Sequence, residues 1–256
     1  MKSKISFLLK YLKNYKYNWK FKVVICLPII SFLLFVDWFS KALVEGTMSQ
    51  GERKPFIKGL VNLEYKINPG AAYGMNSNSP TLAISIAAVV SILILIIFLF
   101  VREKYWLIGL TFMVAGSYGN LLARAWAPEE SLTGVRGGVI DFLHWDFNFL
   151  GSNNYIFNFA DVFVNISVVL IILAFVMYII EEILRVYYKR NEELYKKYID
   201  YKVTINDLYI IYWSNFYSKK NDNYISFLNY IKRKSELKTN WKLDKKEILN
   251  GTKSSA

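Results

Sequence analysis

Residues 138–161 read GVIDFLHWDFNFLGSNNYIFNFAD, with Asp141 near one end and Asp161 at the other. From Phe159 to Ile180 the chain is apolar enough to demand a membrane span, so Asp161 sits early in that span and Asp141 just before it. Two acids therefore arrive at one edge of a bilayer. An Asp at the centre of a spanning helix costs about 2.5–3.5 kcal/mol on insertion scales, less near an interface, so such residues persist by pairing or by doing chemistry.

Working outward, three more blocks can span: Val23 to Phe39, Leu82 to Val101 and Trp106 to Trp126. At 1.5 Å per residue the four blocks run from about 25 to about 33 Å, bracketing the roughly 30 Å hydrocarbon core. The chain has 256 residues, 54% of them hydrophobic, gathered in blocks rather than spread at amphipathic spacing. The expected fold is an all-α membrane protein: four transmembrane helices, a small extracytoplasmic β-sheet and a helical cytoplasmic tail. Its parts are a basic amphipathic leader (1–22), a four-span core (23–182) and a basic extension (183–256).

The formal charge of +12 lies mostly at the termini. Residues 1–22 carry seven lysines and no acid, with Ile5, Leu8, Leu9, Leu12 and Trp19 close to one helical face, as in a helix lying on anionic lipid. A solvated basic leader is the plainer alternative, and no small-x-small cleavage site follows. The leader, the turn Arg102 to Lys104 and the flank Arg185 to Lys197 together hold fourteen Lys or Arg residues, which assigns this side to the cytoplasm. Both termini are then cytoplasmic, and connections 40–81 and 127–158 lie outside.

Those outer connections carry strand signals. Val61 to Asn68 alternates apolar and polar residues strictly, and Leu143, Trp145, Phe147 and Phe149 interleave with His144, Asp146 and Asn148. Both fit a small sheet resting on the membrane. In the extension, Ile205, Leu208, Tyr209, Tyr212, Trp213 and Phe216 follow helical spacing, as do Tyr224, Phe227, Leu228 and Ile231 after the polar break at 218–223. Two amphipathic helices with a membrane-surface or protein-docking role are expected; charge and aromatics alone leave RNA or ribosome binding open, but nothing there matches a nucleic-acid motif, so no nucleic acid is required; a weakly ordered cytoplasmic extension is the equal alternative, and the partner is not specified.

Polar residues inside the spans narrow the chemistry. Gly116, Asn120 and Arg124 recur every four residues and share one helical stripe, which serves helix packing as readily as a site. Asp37, late in the first span, falls at the depth of Asp161. Asp37 and Lys41 also fit an ordinary i,i+4 ion pair worth a few tenths of a kcal/mol. Asn158 and Asp161 fit an N-cap and N3 pair. One histidine without a placed serine argues against a Ser-His hydrolase, and Cys26, the only cysteine, sits in an apolar run as a small core residue. No metal site and no cofactor is expected. Two close carboxylates sharing a proton can hydrolyse a peptide bond; by pattern alone they serve equally as an ion or proton site.

Five blocks then carry a resemblance: Asp37-Trp38-Phe39-Ser40-Lys41, Asn68-Pro69-Gly70-Ala71-Ala72-Tyr73-Gly74, Gly119-Asn120-Leu121-Leu122-Ala123-Arg124, Gly138-Val139-Ile140-Asp141-Phe142 and Phe157-Asn158-Phe159-Ala160-Asp161. In this order they resemble lipoprotein signal peptidase, also called signal peptidase II, over residues 37–161. The resemblance implies a four-span aspartic endopeptidase of the bacterial cytoplasmic membrane. It would remove the signal peptide of a prolipoprotein, cutting before a diacylglyceryl-modified cysteine near the extracytoplasmic face. It implies Asp141 and Asp161 as the catalytic dyad. Asp37, Lys41, Asn68, Gly70, Ala71, Asn120, Arg124, Asn158 and Ala160 become substrate-binding or supporting residues. Lipid-modified prolipoproteins and membrane lipids are the implied partners.

The chain departs from the family pattern at Ala123, where Asp is usual, at Tyr73, where Phe is commoner, and in a longer stretch from Ala125 to Gly137. Lacking that acid, Arg124 must find its anion elsewhere: at Asp141 or, as we favour, at Glu129 or Glu130 in the longer loop. A catalytically silent relative that binds lipoproteins or scaffolds partners is the alternative reading, and a small ion-coupled transporter a third.

Overall fold

The computed structural model describes residues 10, 12–15, 17–70, 80–149, 151, 155–217 and 222–254. Ile5, Leu8 and Leu9 of the leader, Ala71, Tyr73 and Gly74 of the second block, and residues 218–221 of the polar break lie outside the described residues. The chain divides into two compact units, residues 1–174 and 175–256.

Four helices are long and apolar enough to cross a membrane: α1 (Trp19–Thr47), α2 (Pro80–Phe100), α3 (Lys104–Ala123) and α4 (Phe159–Tyr188). The first runs eight residues beyond the apolar block that ends at Phe39. Lys41 folds back on Asp37 inside the helix, so its charge does not stop it. The third ends at Ala123, three residues before the block's end at Trp126, which lies in the turn that follows.

Most of α2 is apolar on every side, and Val89, Val90, Leu93 and Ile97 remain uncovered by protein, as a lipid-facing helix requires. By contrast α3 is the packed centre of the first unit. It lies against α1 and α2, and its glycines admit α4: a Cβ on Gly109 would meet Ile171 Cγ1 at 2.8 Å, and one on Gly116 would meet the Ala160 carbonyl oxygen at 2.5 Å. Small residues let two backbones approach where lipid offers no hydrophobic drive for helix pairing.

At the basic end, donors from the chain before and within α1 satisfy the last carbonyls of α2 and one in the turn that follows it. Lys22 Nζ donates to Leu99 O at 2.5 Å, Tyr15 Oη to Phe100 O at 2.6 Å and Asn18 Nδ2 to Arg102 O at 2.7 Å. The carbonyls of Leu99 and Phe100 have no partner within their own helix, and a lysine beside them complements the helix dipole. Lys22 also opens a π-helical turn, Lys22–Cys26, within α1.

The opposite end carries a four-stranded antiparallel sheet in the order β1 (Arg53–Ile57), β2 (Val61–Asn68), β3 (Val139–Trp145), β4 (Ile156–Phe157). Pro55 is tolerated because β1 is an edge strand. The alternation of Val61 to Asn68 holds as a strand, with a bulge against β3 between Leu63 and Lys66.

The second strand signal is corrected. The strand begins earlier, at Val139, takes in Asp141 and stops at Trp145, leaving Phe147 and Phe149 exposed beyond it. It stops there because Asp146 turns away to bind β2 and its hairpin: its carboxylate accepts from Gly59 N at 2.8 Å and Asn62 Nδ2 at 2.7 Å. Being buried on both faces up to His144, β3 does not alternate in burial. Beneath it, Ile67, Ile140 and Phe142 pack with Val44 and Met48 from the end of α1, and with Phe159 and Val162 from the start of α4.

The second unit holds the last turns of α4 and a pair of helices, α5 (Glu192–Ser214) and α6 (Phe227–Ser254). Asn191 caps α5, its Oδ1 accepting from Leu194 N at 2.9 Å. Two aromatic clusters join the helices antiparallel: Leu194 and Tyr198 with Trp241 and Ile248, and Leu208 and Tyr212 with Ile225, Tyr230 and Leu237. Tyr230 faces α5, whereas Phe227, Leu228 and Ile231 face outward, because the adjacent Ile225 and Tyr230 already fill the cluster.

Candidate active site

The site is built on the N-terminus of α4. Asn158 and Asp161 cap it reciprocally: Asp161 N donates to Asn158 Oδ1 at 3.1 Å and Asn158 N to Asp161 Oδ2 at 3.0 Å. A third donor of this turn is met from another helix, since Ala160 N donates to Asp37 Oδ1 on α1 at 2.9 Å. Three backbone N–H groups of the first turn are thus satisfied, and Asp161 gains the favourable end of the helix dipole.

Asp37 and Lys41 are both fully buried, with Lys41 Nζ 2.7 Å from Asp37 Oδ2. An exposed i,i+4 pair of a few tenths of a kcal/mol does not describe this arrangement, because each member also holds a third element. Lys41 Nζ donates to Asn120 Oδ1 on α3 at 2.9 Å, and Asp37 holds α4. Gly119 makes room for the carboxylate; a Cβ there would stand 2.8 Å from Asp37 Oδ2.

Asn120 and Asn158 connect this pair to the two acids. Asn120 Nδ2 donates to Asp161 Oδ1 at 2.8 Å. Asn158, fully buried, donates through Nδ2 to Asp141 Oδ1 at 2.7 Å and to Asn120 Oδ1 at 3.0 Å. The second oxygen of Asp141 accepts from Asn68 Nδ2 at 3.0 Å, and Asn68 Oδ1 accepts from Gly70 N at 3.0 Å. Asn68 reaches Asp141 because it pairs with Val139 across the sheet, two residues away on the same face. One continuous network therefore runs from α1 through α3 and α4 to the sheet.

Among the described residues, the hydrogen-bond donors to Asp141 and Asp161 are all neutral: the amides of Asn68, Asn120 and Asn158 and the Asn158 N–H. The buried ammonium of Lys41 is taken by Asp37. Asp141 is only 4% exposed, and burial, followed by the nearby charge of Asp161, raises its carboxyl to about 7. Such a pair favours one shared proton over two ionised groups.

Arg124 sits beside the pair but binds carbonyls. Its Nη2 donates to Gly70 O at 2.6 Å and its Nη1 to Gly137 O at 2.9 Å. The expected loop acids do not reach it: Glu129 pairs with Arg136 and Glu130 with Thr133 in the exposed loop. Ala123, at the position where an acid was expected from the resemblance, is fully buried. Arg124 instead pins two backbone segments, the turn after β2 and the approach to β3.

Of the expected site residues, Asp37, Lys41, Asn68, Gly70, Asn120, Arg124, Asn158 and Ala160 join the two acids in this network; Ala71 lies outside the described residues. His144 is not among them; its Nδ1 lies 2.8 Å from Glu64 on β2. Sequence reasoning missed the carbonyl of Gly137 and Trp38, whose Nε1 donates to Gly119 O at 3.2 Å. A main-chain oxygen leaves no side-chain pattern, and only the glycine at φ +80° marks Gly137.

Comparison with known proteins gives concordant matches. The family model described as signal peptidase (SPase) II matches residues 29–177. The lipoprotein signal peptidase of Fusobacterium nucleatum is 35% identical over 151 residues, 57% of this chain and 82% of the relative. That of Streptococcus agalactiae is 32% identical over 153 residues, 59% of this chain and 91% of the relative. A solved structure described as a bacterial membrane enzyme superposes with a TM-score of 0.50 at 26% identity, covering 59% of this chain and 87% of that one.

Proposed function

The chain belongs to the signal peptidase II family, and from that premise we propose how its site works and where it stands in the membrane. The protein is a multi-pass membrane protease that removes the signal peptide of lipid-modified prolipoproteins, cutting before the lipidated cysteine. Asp141 and Asp161 are its aspartic dyad. The observation that carries this assignment is Asn158, which binds Asp141 through its side chain and Asp161 through its backbone N–H.

With one proton between them, the ionised carboxylate takes a proton from water as the water oxygen bonds to the scissile carbonyl carbon. The protonated carboxylate gives its proton to the carbonyl oxygen. Collapse of the tetrahedral species breaks the C–N bond: the hydroxyl proton returns to one carboxylate, and the amine leaves with the proton first taken from water. The signal peptide ends in a new carboxylate and the lipidated cysteine in a free amine. Asn68, Asn120 and Asn158 hold the two acids in register, while Asp37, Lys41, Ala160, Gly70 and Ala71 support the surrounding backbone and substrate. Neutral donors leave the dyad free to pass its proton in either direction.

The dyad and sheet lie at the extracytoplasmic face of a bacterial cytoplasmic membrane, with both termini cytoplasmic. Lys22, near the start of α1, and Arg102, in the α2–α3 turn, lie at the end of the first unit opposite the acids, which supports this orientation under the positive-inside rule. Residues 1–22 form a basic leader, 23–182 the peptidase core and 183–256 a cytoplasmic extension. A lipid-anchored substrate then reaches the dyad by moving within the bilayer, and water arrives from outside. Incubating the purified chain with a diacylglyceryl-modified precursor and with the same precursor unmodified tests the assignment. Shortening of the modified form is expected; equal shortening of both, or of neither, overturns it.

A further inference from the structure

The family match ends at residue 177, so nothing in it accounts for α5 and α6. One side of α6 is committed to α5 and the last turn of α4: Tyr230, Leu237 and Trp241 enter the aromatic clusters, Asp244 pairs with Lys197 at 3.4 Å, and Lys245 donates to Tyr188 Oη at 3.0 Å. The other side is open and carries large apolar residues, with Phe227 62%, Leu228 78% and Leu243 55% exposed. Lys232, Lys238, Lys242 and Lys246 share that side. At 100° per residue Leu228, Lys232, Lys242, Leu243 and Lys246 fall within a sector of about 100° that holds no acid, with Phe227 and Lys238 beside one edge; Glu236 and Glu247 fall beyond the other edge and Asp244 faces α5.

We propose that this face of α6 docks on an anionic lipid surface, its apolar side chains entering the headgroup region and its four lysines meeting lipid phosphates. Segregated lysines beside exposed Phe and Leu are the pattern of an interfacial helix, in which apolar burial and attraction to anionic lipid add together. A face that recognised an acidic protein or a nucleic acid would have the lysines without a use for Leu228 and Phe227. The second unit is also tied to a bilayer by its own residues, because it begins inside the apolar run of α4, at Phe175. Any anionic leaflet on its side of the membrane is therefore presented at high effective concentration. The inference rests on the reading of α4 as a membrane span, but not on peptidase activity.

The full chain carrying Leu228→Cys and a spin label there, reconstituted in vesicles, tests the proposal. Cys26 is fully buried, so the introduced thiol alone takes label in the folded protein, and the unsubstituted chain is the control. In vesicles containing phosphatidylglycerol in both leaflets the label should be shielded from a water-soluble nickel relaxant at least about fivefold more than in phosphatidylcholine vesicles, the effect of losing one lysine–lipid attraction. Because both leaflets are anionic, this result does not depend on which side the tail occupies, and precursor cleavage measured on the same vesicles fails or succeeds separately. Adding Lys232→Gln, Lys238→Gln, Lys242→Gln and Lys246→Gln should restore nickel access without altering cleavage. Equal nickel access in the two lipids overturns the proposal on the unsubstituted lysine face alone. Shielding that appears only when RNA or a soluble protein is added also overturns it.

Discussion

Asp37, on the first span, accepts the backbone N–H of Ala160, in the first turn of the fourth, at 2.9 Å. This contact sets the height of α4 against α1, and so the height of Asp161 against the rest of the site. Asp37→Ala leaves the Lys41 ammonium buried without its anion and the Ala160 N–H without an acceptor, which should cost about 3–5 kcal/mol. Asp37→Asn keeps an acceptor for Ala160 and should cost less. Thermal unfolding of the purified variants measures both. A loss for Asp37→Ala as small as that of an exposed pair, about 0–1 kcal/mol, would contradict the assignment.

The approach of α3 to α4 can be tested at its glycines. In Gly116→Ala the new methyl would meet the backbone oxygen of Ala160 at 2.5 Å, and backbone cannot swing aside as a side chain does. The expected penalty is that of overpacking, about 1–3 kcal/mol, with loss of cleavage as α4 shifts. Gly46→Ala, with nothing within 4 Å, is the control and should leave both stability and cleavage unchanged. Similar behaviour of the two variants would mean that close helix contact does not position Asp161.

The raised carboxyl of Asp141 predicts a pH dependence with a definite sign. An ordinary Asp releases its proton near about 3.9 in the unfolded chain, whereas in the folded protein Asp141 keeps it to about 7. The folded state binds more protons across that window, so this group's contribution is full below about pH 4 and is lost as pH rises through about 7. The melting temperature should therefore fall across the interval in the unsubstituted protein and fall less in Asp141→Asn. Cleavage should decline above about pH 7 as the shared proton is lost. Parallel melting profiles for the two proteins would exclude Asp141 as the group responsible.

Much of this site was legible because each of its side chains breaks a local rule. Asp37, Asn120, Arg124 and Asp161 are polar residues within or bordering apolar runs, and Asn158 has the spacing of a helix cap. What stayed hidden is made of backbone. The ligands of Arg124 are the carbonyls of Gly70 and Gly137, and the start of β3 at Val139 is set by pairing with Asn68, a distant residue of β2 that marks no pattern in the local sequence. In the tail, helical periodicity found α6 but not which of its faces meets α5. Ile225 and Tyr230 form one apolar stripe and Phe227, Leu228 and Ile231 another, and only the partner α5 decides between them.

Arg124 offers a test that separates the backbone clamp from the loop acids. A lysine carries one compact ammonium and cannot reproduce a planar fork to two carbonyls. Arg124→Lys should therefore lower cleavage by about 10-fold or more, the effect of misplacing positioning groups by a fraction of an ångström. Glu129→Gln with Glu130→Gln should leave cleavage unchanged, because those acids pair with Arg136 and Thr133 in the exposed loop. A strong defect in the double Gln variant would return the loop acids to the site.

The central claim is that Asp141 and Asp161 form one catalytic unit joined through Asn158. Cleavage of a diacylglyceryl-modified prolipoprotein by the purified chain, by Asp141→Asn, by Asp161→Asn and by the double variant tests it most directly. An amide cannot carry the exchangeable proton, so each single variant should lose cleavage by at least about 1,000-fold, and the double variant should be no worse than either, as expected for residues that act together. Near-normal turnover in either single variant, in protein that remains folded, would contradict the account.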